Sequence, residues 1–282
     1  MMAITLALTR LGDALGIAAE GVDLGRPLDA TTGAALRRAL LDHLVLCIRS
    51  QVLAPAAYLA AMRGFGQPMV QVRLARHPDV PEVTILSSED RDDAGDGGRV
   101  AVGAHWHSDD SYKAVPCSLT MLHAIVVPAV GGDTQFTNMY AAYDDLTETM
   151  KRRIGGLMVV HKYDSSRKGT RILTLKPGEA ERLPEVAHPL VRTHPETGRK
   201  ALYMNPNRME RIVGMERAAS DALLDEITQH AIRPQYQYRH KWREGDILIW
   251  DNRCTMHKAN ADYPPGSRRL MHRIIVEGTV PV

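Results

Sequence analysis

The chain has 282 residues, of which 44% are hydrophobic and 24% charged, a balance typical of globular proteins that excludes a largely disordered chain. Its 35 basic and 33 acidic residues leave a net charge of +2, so we expect no broad positive surface and no nucleic-acid partner. The three cysteines are widely separated, which fits neither a disulfide framework nor a paired-cysteine zinc site.

The first residues, MMAITLALTRLGDALG, contain too short an apolar run for a signal peptide or a membrane span. We therefore expect a cytoplasmic protein with no membrane partner. Apolar residues at helical spacing predict a helix over residues 32–43, with Thr31 or Thr32 as its cap. A short strand over 44–49 and a second helix from Pro55 to Arg63 follow, and the turn GFGQP comes next.

From residue 100 onward, short runs rich in β-branched and aromatic residues predict mainly strands. The segment VRTHPETGRKALY indicates a hairpin that turns at PETG, and one helix is predicted around residues 216–231. Many short strands with interleaved helices predict a mixed α/β, mainly β protein with a jelly-roll sandwich or barrel. Two loops, 87–104 and 163–185, flank candidate site residues and are predicted lids.

The segment HWHSDDS, residues 105–111, is the strongest candidate for a metal site. If it belongs to a strand, His105, His107 and Asp109 point to the same face. One hypothesis is a zinc or cupin-like site that uses His105 and His107 with a remote ligand. The other is a facial triad of His107, Asp109 and a remote histidine, which leaves adjacent positions on the metal open. His257 in WDNRCTMHKA is the best remote candidate, although composition alone also allows His123, His161, His188, His194, His230, His240 and His272.

Three motifs in order, HWHSDDSY, VVPAVGGDTQF and ILIWDNRCTMHKANADYPPGSRRLMHR, resemble the TauD/TfdA family of Fe(II)- and 2-oxoglutarate-dependent dioxygenases. The resemblance implies a double-stranded β-helix as a single domain over residues 1–282. It also implies an oxidoreductase that uses Fe(II), O2 and 2-oxoglutarate as co-substrate. The family pattern places His107, Asp109 and His257 on iron and leaves His105 outside the coordination sphere. Members of the family often form dimers or tetramers, so we expect a homo-oligomer.

The resemblance also suggests how the organic acids are bound. Arg269, the second arginine of RRLMHR, would bind the distal carboxylate of 2-oxoglutarate together with Thr134 of GGDT. Arg268 is the alternative, because the spacing from His257 is one residue longer than in taurine dioxygenase. Arg273 shares a strand face with Arg269 and would bind the acidic group of the primary substrate.

The substrate prediction depends on two departures from the taurine-acting branch. Gln71 and Gly103 stand near the places where that branch has a histidine and an asparagine, which argues against taurine. The segments HSDDSYKAVPCSLTMLHAIVVPAVGGDT and WDNRCTMH are more similar to the aryloxyalkanoate branch, so a small organic carboxylate of aryloxyalkanoate type is the preferred substrate class. A sulfonate or an alkyl sulfate is the alternative. Further candidate pocket residues are His105, Ser111, Tyr112 and the run Met69 to Val72. The basic residues Arg167, Lys168 and Arg171 are either further anion contacts or part of a solvated loop.

Two hypotheses from other classes stay open at this point. In the first, His105, His107 and His257 hold zinc in a hydrolase, and Asp109 acts as the general base. In the second, the chain is a jelly-roll binding module without catalysis. Trp250 is expected to pack in the core, and Cys254 is expected to be an inert, buried side chain.

Overall fold

The computed structural model of the chain describes residues 6–71, 73–93, 95–98, 101–167, 169 and 173–282. The helices in this part are α1 Ala30–His43, α2 Pro55–Met62, α3 Met139–Asp144, α4 Glu148–Ile154 and α5 Arg217–Ala231. The strands are β1 Ala7–Arg10, β2 Ile17–Glu20, β3 Val45–Ile48, β4 Pro68–Met69, β5 Thr84–Ser87, β6 Leu119–Val126, β7 Thr134–Asn138, β8 Met158–His161, β9 Val186–Pro189, β10 Val191–Thr193, β11 Lys200–Leu202, β12 Met209–Ile212, β13 Gln237–His240, β14 Ile247–Asp251, β15 Thr255–Ala259 and β16 Leu270–Val276.

An eight-stranded sheet forms the largest layer of the fold. Its strands run in the order β1-β2-β3-β14-β6-β16-β4, and β5 pairs with β16. Alternate residues of β14 enter different cores: Ile247 and Ile249 pack with the residues of α1 and α2, whereas Leu248 and Trp250 pack on the opposite face. Because both faces of the sheet are covered, its central strands are continuous apolar runs instead of alternating ones.

A second, three-stranded sheet in the order β13-β7-β15 packs against the face of the large sheet that carries Trp250. Phe136 of β7 meets the indole of Trp250 edge-on, with ring centroids 5.4 Å apart. Two smaller sheets, β12-β8-β9 and β10-β11, complete the β structure. The two packed sheets form the predicted jelly-roll core, and the metal candidates lie where β15 approaches the large sheet.

Several sequence predictions can be compared with these elements. The first helix and the hairpin are confirmed, the hairpin pairing Val191 with Leu202, but Asp29 rather than Thr31 or Thr32 caps α1. The prediction of one helix in the second half of the chain is wrong, because α3 and α4 also lie there. These helices have only six and seven residues, too few for a periodic pattern to identify. None of the described helices is both long and apolar enough to cross a membrane.

Candidate metal centre and its two cavities

The two candidate histidines are aligned by the backbone. His107 and His257 form an isolated antiparallel bridge, in which each backbone N–H donates to the other residue's carbonyl at 2.9 and 2.8 Å. This pairing places their imidazole centroids 4.1 Å apart. Apart from this bridge, residues 105–111 are not a strand. Asp110 has a φ of 56°, in the left-handed region, and the chain turns there directly after Asp109.

The side chains of His107, Asp109 and His257 converge. Nε2 of His107 lies 3.6 Å from Asp109 Oδ1, and Nε2 of His257 lies 3.7 Å from Asp109 Oδ2. Their possible ligand atoms all lie within 4.8 Å of one another, and each residue is less than a tenth exposed. His105 does not belong to this group of three, although its ring stacks 4.8 Å from that of His107.

Hydrogen bonds and charge set the protonation of these groups. Nδ1–H of His107 donates to the carbonyl of His105 at 2.7 Å, so Nε2 is the ring nitrogen directed toward Asp109. Burial raises the pKa of Asp109, but the positive charge of Arg273 and the neighbouring imidazoles outweigh it and hold that pKa well below its usual value. Burial, followed by repulsion from His107, lowers the pKa of His257. The carboxylate of Asp109 and the neutral imidazole of His257 are forms that bind metal.

A network of buried polar side chains orients Asp109. Thr120 of β6 donates its hydroxyl to Asp109 Oδ2 at 2.6 Å and accepts from Asn252 Nδ2 at 2.8 Å. The other amide atom of Asn252, Oδ1, accepts from the backbone N–H of Asp109 at 3.3 Å and from the indole N–H of Trp250 at 3.1 Å. Trp250 is almost fully buried, as expected, and through this bond it also helps to fix the site.

One cavity, which we call the inner cavity, extends from the triad into the space between the sheets. Its polar lining away from the triad comes from Thr134, Arg269 and Arg273. Arg269 donates Nε to the carbonyl of Gly132 at 3.3 Å and has no carboxylate partner in the described part of the chain. The hydroxyl oxygen of Thr134 accepts from the indole N–H of Trp242 at 3.0 Å, which leaves its own proton free to donate. The remaining lining is Leu86, Val102, Gly103, Leu122, Trp250 and Ala259.

The alternative arginine, Arg268, does not line the inner cavity and is exposed. Arg269 itself lies just before β16, which begins at Leu270, and a register shift separates Leu270 from Met271. The extra residue lies on β6, and β16 pairs with β5 in unbroken register up to Leu270. Arg269 and Arg273 line the same cavity, as the predicted shared face requires.

A second cavity, the outer cavity, opens on the other side of His107 and Asp109. Predicted residues that line it are Gln71, His105, Tyr112 and Arg273. Gln71 donates to both carboxylate oxygens of Asp110, at 3.1 and 3.2 Å. Burial, and next the proximity of His107, lowers the pKa of His105 to about 2, so its ring is neutral. Arg273 places Nη2 at 2.8 Å from Asp109 Oδ1, so its guanidinium contacts the triad directly.

Some predicted pocket residues lie elsewhere. Ser111 is fully buried and lines neither cavity, because it follows the turn at Asp110 into the protein interior. Met69 and Val70 also lie outside the lining. Arg167 lines neither cavity and is not solvated, because its side chain is only 11% exposed and forms ion pairs with Asp221 and Asp225. Val72, Lys168 and Arg171 are outside the described residues.

Sequence reasoning missed a cluster of outer-cavity residues, consisting of Arg73, Tyr163, Asn205 and Arg208. The guanidinium carbons of Arg73 and Arg208 each lie 4.0 Å from the centroid of the Tyr163 ring. The run MNPNRM, which contains Asn205 and Arg208, directly follows a predicted strand and offered the only sequence signal. Thr120, which holds Asp109, was missed as well, because it lies within an apolar strand sequence.

Comparisons with known proteins identify the class to which this fold and site belong. Residues 7–275 match the family described as taurine catabolism dioxygenase TauD, TfdA family. The chain therefore belongs to the TauD/TfdA family.

Relatives and solved structures agree with this membership. The alpha-ketoglutarate-dependent 2,4-dichlorophenoxyacetate dioxygenase of Cupriavidus pinatubonensis is 31% identical over 90% of this chain and 91% of its own length. The alkylsulfatase of Acinetobacter baylyi is 32% identical over 98% and 86%. A taurine dioxygenase from Burkholderia xenovorans superposes with a TM-score of 0.83 at 33% identity, covering 98% of this chain and 91% of that one. AAD-2 in complex with Mn(II) and N-oxalylglycine superposes with a TM-score of 0.83 at 30% identity, covering 99% of each chain.

These findings confirm the predicted class of enzyme. The chain is an Fe(II)- and 2-oxoglutarate-dependent dioxygenase, an oxidoreductase that uses O2 and acts on a small molecule. They select this class over the zinc hydrolase and the binding module. The predicted jelly-roll fold is confirmed by the same comparisons.

Proposed function

We propose that His107, Asp109 and His257 hold Fe(II) and that a small organic anion is hydroxylated beside them, coupled to the conversion of 2-oxoglutarate to succinate and CO2. One observation carries this proposal: the three ligand atoms converge within 4.8 Å at the junction of two cavities. Bound Fe(II), together with O2 and a 2-oxo acid, supplies the oxidising chemistry. The protein's part is to hold the metal, the co-substrate and one C–H bond of the substrate close together and correctly oriented.

The donor set fits Fe(II). Two neutral imidazoles and one carboxylate are the ligands of a facial triad, which leaves three positions for a chelating acid and a gas. The Nδ1–H of His107 is bound to a carbonyl and the carboxylate of Asp109 to Thr120, the kind of outer contacts that fix ligand orientation. Nδ1 of His257 is buried and has no hydrogen-bond partner among the described residues, so packing between Phe136 and Trp250 orients this ring.

We assign 2-oxoglutarate to the inner cavity. Arg269 offers a half-buried guanidinium that no described carboxylate neutralises, and a carboxylate is its best planar partner. Thr134 offers a hydroxyl proton to the same group. A five-carbon diacid would then reach from Arg269 to the triad, where its 2-oxo acid end meets the metal.

We assign the primary substrate to the outer cavity, with Arg273 facing its acidic group beside the triad and with His105, Tyr112 and Gln71 in the surrounding wall. The names of several relatives support an organic anion, since they include a 2,4-dichlorophenoxyacetate dioxygenase, an (S)-phenoxypropionate dioxygenase and a sulfate ester dioxygenase. A small carboxylate of aryloxyalkanoate type is the preferred class. An alkyl sulfate or a sulfonate is the second candidate, and the relatives named for these substrates favour it.

The test measures succinate from 2-oxoglutarate with Fe(II), ascorbate and O2, in the presence of phenoxyacetate, hexyl sulfate or an alkyl sulfonate. We expect one acid to increase succinate release at least tenfold. Asp109→Ala and His257→Ala should abolish both this activity and the tight binding of Mn(II), whereas His77→Ala, which changes a remote histidine, should affect neither. Full turnover by both triad variants, or activity that needs zinc and not 2-oxoglutarate, would reject the proposal.

We further propose that residues 1–282 form a single domain and that the loops 87–104 and 163–185 act as lids over the outer cavity. Their described parts are joined, since Thr174 donates its N–H and hydroxyl to the two oxygens of Asp92 at 2.9 and 2.7 Å. We also propose a cytoplasmic homo-oligomer, a dimer or tetramer, with no nucleic-acid or membrane partner. Size-exclusion chromatography with light scattering tests the oligomer, and a monomeric mass at micromolar concentration would contradict it.

A further inference from the structure

The outer cavity contains more positive charge than one acidic group needs. Arg73, Arg208 and Arg273 all line it, and the carboxylates in its lining are Asp109 and Asp110. Asp110 is already neutralised by Lys113, whose ammonium lies 2.7 Å away. Asp109 is paired with Arg273 and, under the proposed function, also with the metal. Arg208 and Arg73 therefore form a separate positive group that the triad does not neutralise.

Arg208 is the less compensated of these two residues. It is only 8% exposed, and it has no carboxylate within ion-pairing distance in the described part of the chain. Its Nη1 donates to the carbonyl of Tyr163, and its guanidinium lies over the rings of Tyr112 and Tyr163, 5.5 and 4.0 Å from their centroids. A neutral carbonyl and two ring faces stabilise a buried cation less than a carboxylate does, because none of them carries a full negative charge.

Arg73 adds to this charge from the neighbouring loop. One of its terminal nitrogens lies 3.6 Å from Glu179 and donates to the carbonyl of Thr174 at 3.2 Å. Its Nε and Nη1 are buried without hydrogen-bond partners among the described residues. Hydrogen-bond donors of Arg73 without partners, beside the buried cation of Arg208, form a site that favours an anion.

We propose that the primary substrate carries two acidic groups: one faces Arg273 beside the triad, and the second is bound by Arg208 with the support of Arg73. This inference rests on the proposed function, because it takes the outer cavity as the substrate site. Arg208 and Arg273 line one cavity, whose volume is about 110 Å³. The two groups therefore belong to one small diacid, and a guanidinium at each end can bind either carboxylate or sulfate.

Binding is tested with pairs of acids that differ only in the second charge, phenoxyacetate against 4-carboxyphenoxyacetate and hexanoate against hexanedioate. Titration calorimetry uses the full chain loaded with Mn(II) and saturating 2-oxoglutarate, so the measurement does not depend on turnover. We expect the diacid of at least one pair to bind ten or more times more tightly than its monoacid. The corresponding pair of sulfates, hexyl sulfate and 1,6-hexanediol disulfate, shows whether sulfate can replace carboxylate.

Variants of Arg208 test whether this residue causes the preference for the diacid. Arg208→Met should reduce the preference for the diacid to less than threefold while the monoacid binds nearly as before, and Arg208→Lys should keep part of the preference. Arg211→Met is the matched control, because Arg211 is a half-exposed arginine of β12 that is paired with Glu185 and lines neither cavity. Thermal unfolding checks each variant, and if Arg208→Met is unstable the lysine variant is compared with wild type instead.

Three results would overturn the inference: no diacid preference in the wild type, an undiminished preference in Arg208→Met, or an equal loss for monoacid and diacid in that variant. The last result would mean that Arg208 holds a single acidic group or only supports the fold. Failure of the proposed function looks different, because the wild type would then release no succinate from 2-oxoglutarate with Fe(II). The two outcomes are therefore measured separately.

Discussion

The inner and outer cavities share the triad but are built in different ways. Thr134, Leu122 and Trp250 of the inner cavity lie on strands β7, β6 and β14, whose backbones are fixed by neighbours in the sheets. Tyr163 and Arg208 of the outer cavity, in contrast, lie in turns outside the strands. Under the proposed function, residues of the sheets therefore bind the common co-substrate and residues of loops bind the variable substrate, where sequence changes disturb the fold least.

The largest effect is expected when Arg269, which lines the inner cavity, is substituted. Arg269→Ala removes the half-buried cation proposed to bind the distal carboxylate of 2-oxoglutarate, so we expect the KM for 2-oxoglutarate to rise about 100-fold, corresponding to a loss of about 3 kcal/mol. Succinate formation measured against 2-oxoglutarate concentration gives this value. Arg268→Ala is the matched control, because this neighbour is exposed and lies outside the cavity. A larger effect at Arg268 than at Arg269 would reverse the assignment.

The sequence predicted the inner cavity better than the outer one, and the reason is physical. The motifs HWHSDD, GGDT, WDNRCTMHKA and RRLMHR contain the three candidate metal ligands and the proposed 2-oxoglutarate residues, and their order along the chain carried the resemblance to the family. The environment of Arg208 depends on how three separate loops meet, and nothing in the local sequence NPNRM distinguishes a buried arginine from a solvated one.

Thr120 of β6, which the sequence analysis did not identify, tests how much the large sheet contributes to metal affinity. Thr120→Val keeps the shape of the side chain but removes the hydroxyl that donates to Asp109 Oδ2. We expect Mn(II) affinity, measured by calorimetry, to fall roughly 10- to 100-fold, as is usual when a contact to a metal ligand is lost. Thr137→Val is the control, since this hydroxyl is equally buried but donates to the carbonyl of Ala231. Equal losses in both variants would point to general destabilisation.

Gly103 connects the two cavities and lines both. Its φ is +77°, and a Cβ at this position would lie 3.1 Å from Cε1 and 3.5 Å from Nε2 of His107. Gly103→Ala should therefore displace the ring and lower kcat/KM about tenfold in addition to its backbone strain of about 1 kcal/mol. Gly214→Ala has a similar φ of +74° with no atom within 4 Å of the added Cβ, so it reports the backbone strain alone. If both variants lose activity equally, the contact with His107 has no role.

The smallest effect is expected where the loops 87–104 and 163–185 are joined by the hydrogen bonds between Thr174 and Asp92. Thr174→Val removes the hydroxyl that donates to Asp92 and leaves the backbone N–H in place, so one of two hydrogen bonds is lost. A single such bond stabilises by about 1 kcal/mol, which predicts a two- to fivefold rise in KM for the primary substrate. The KM for 2-oxoglutarate should not change, because no atom of Thr174 lines the inner cavity. Thr149→Val, a change at an exposed threonine of α4, is the control. Equal changes in both KM values would mean that the loops support the triad itself. The two cavities would then not act independently of each other.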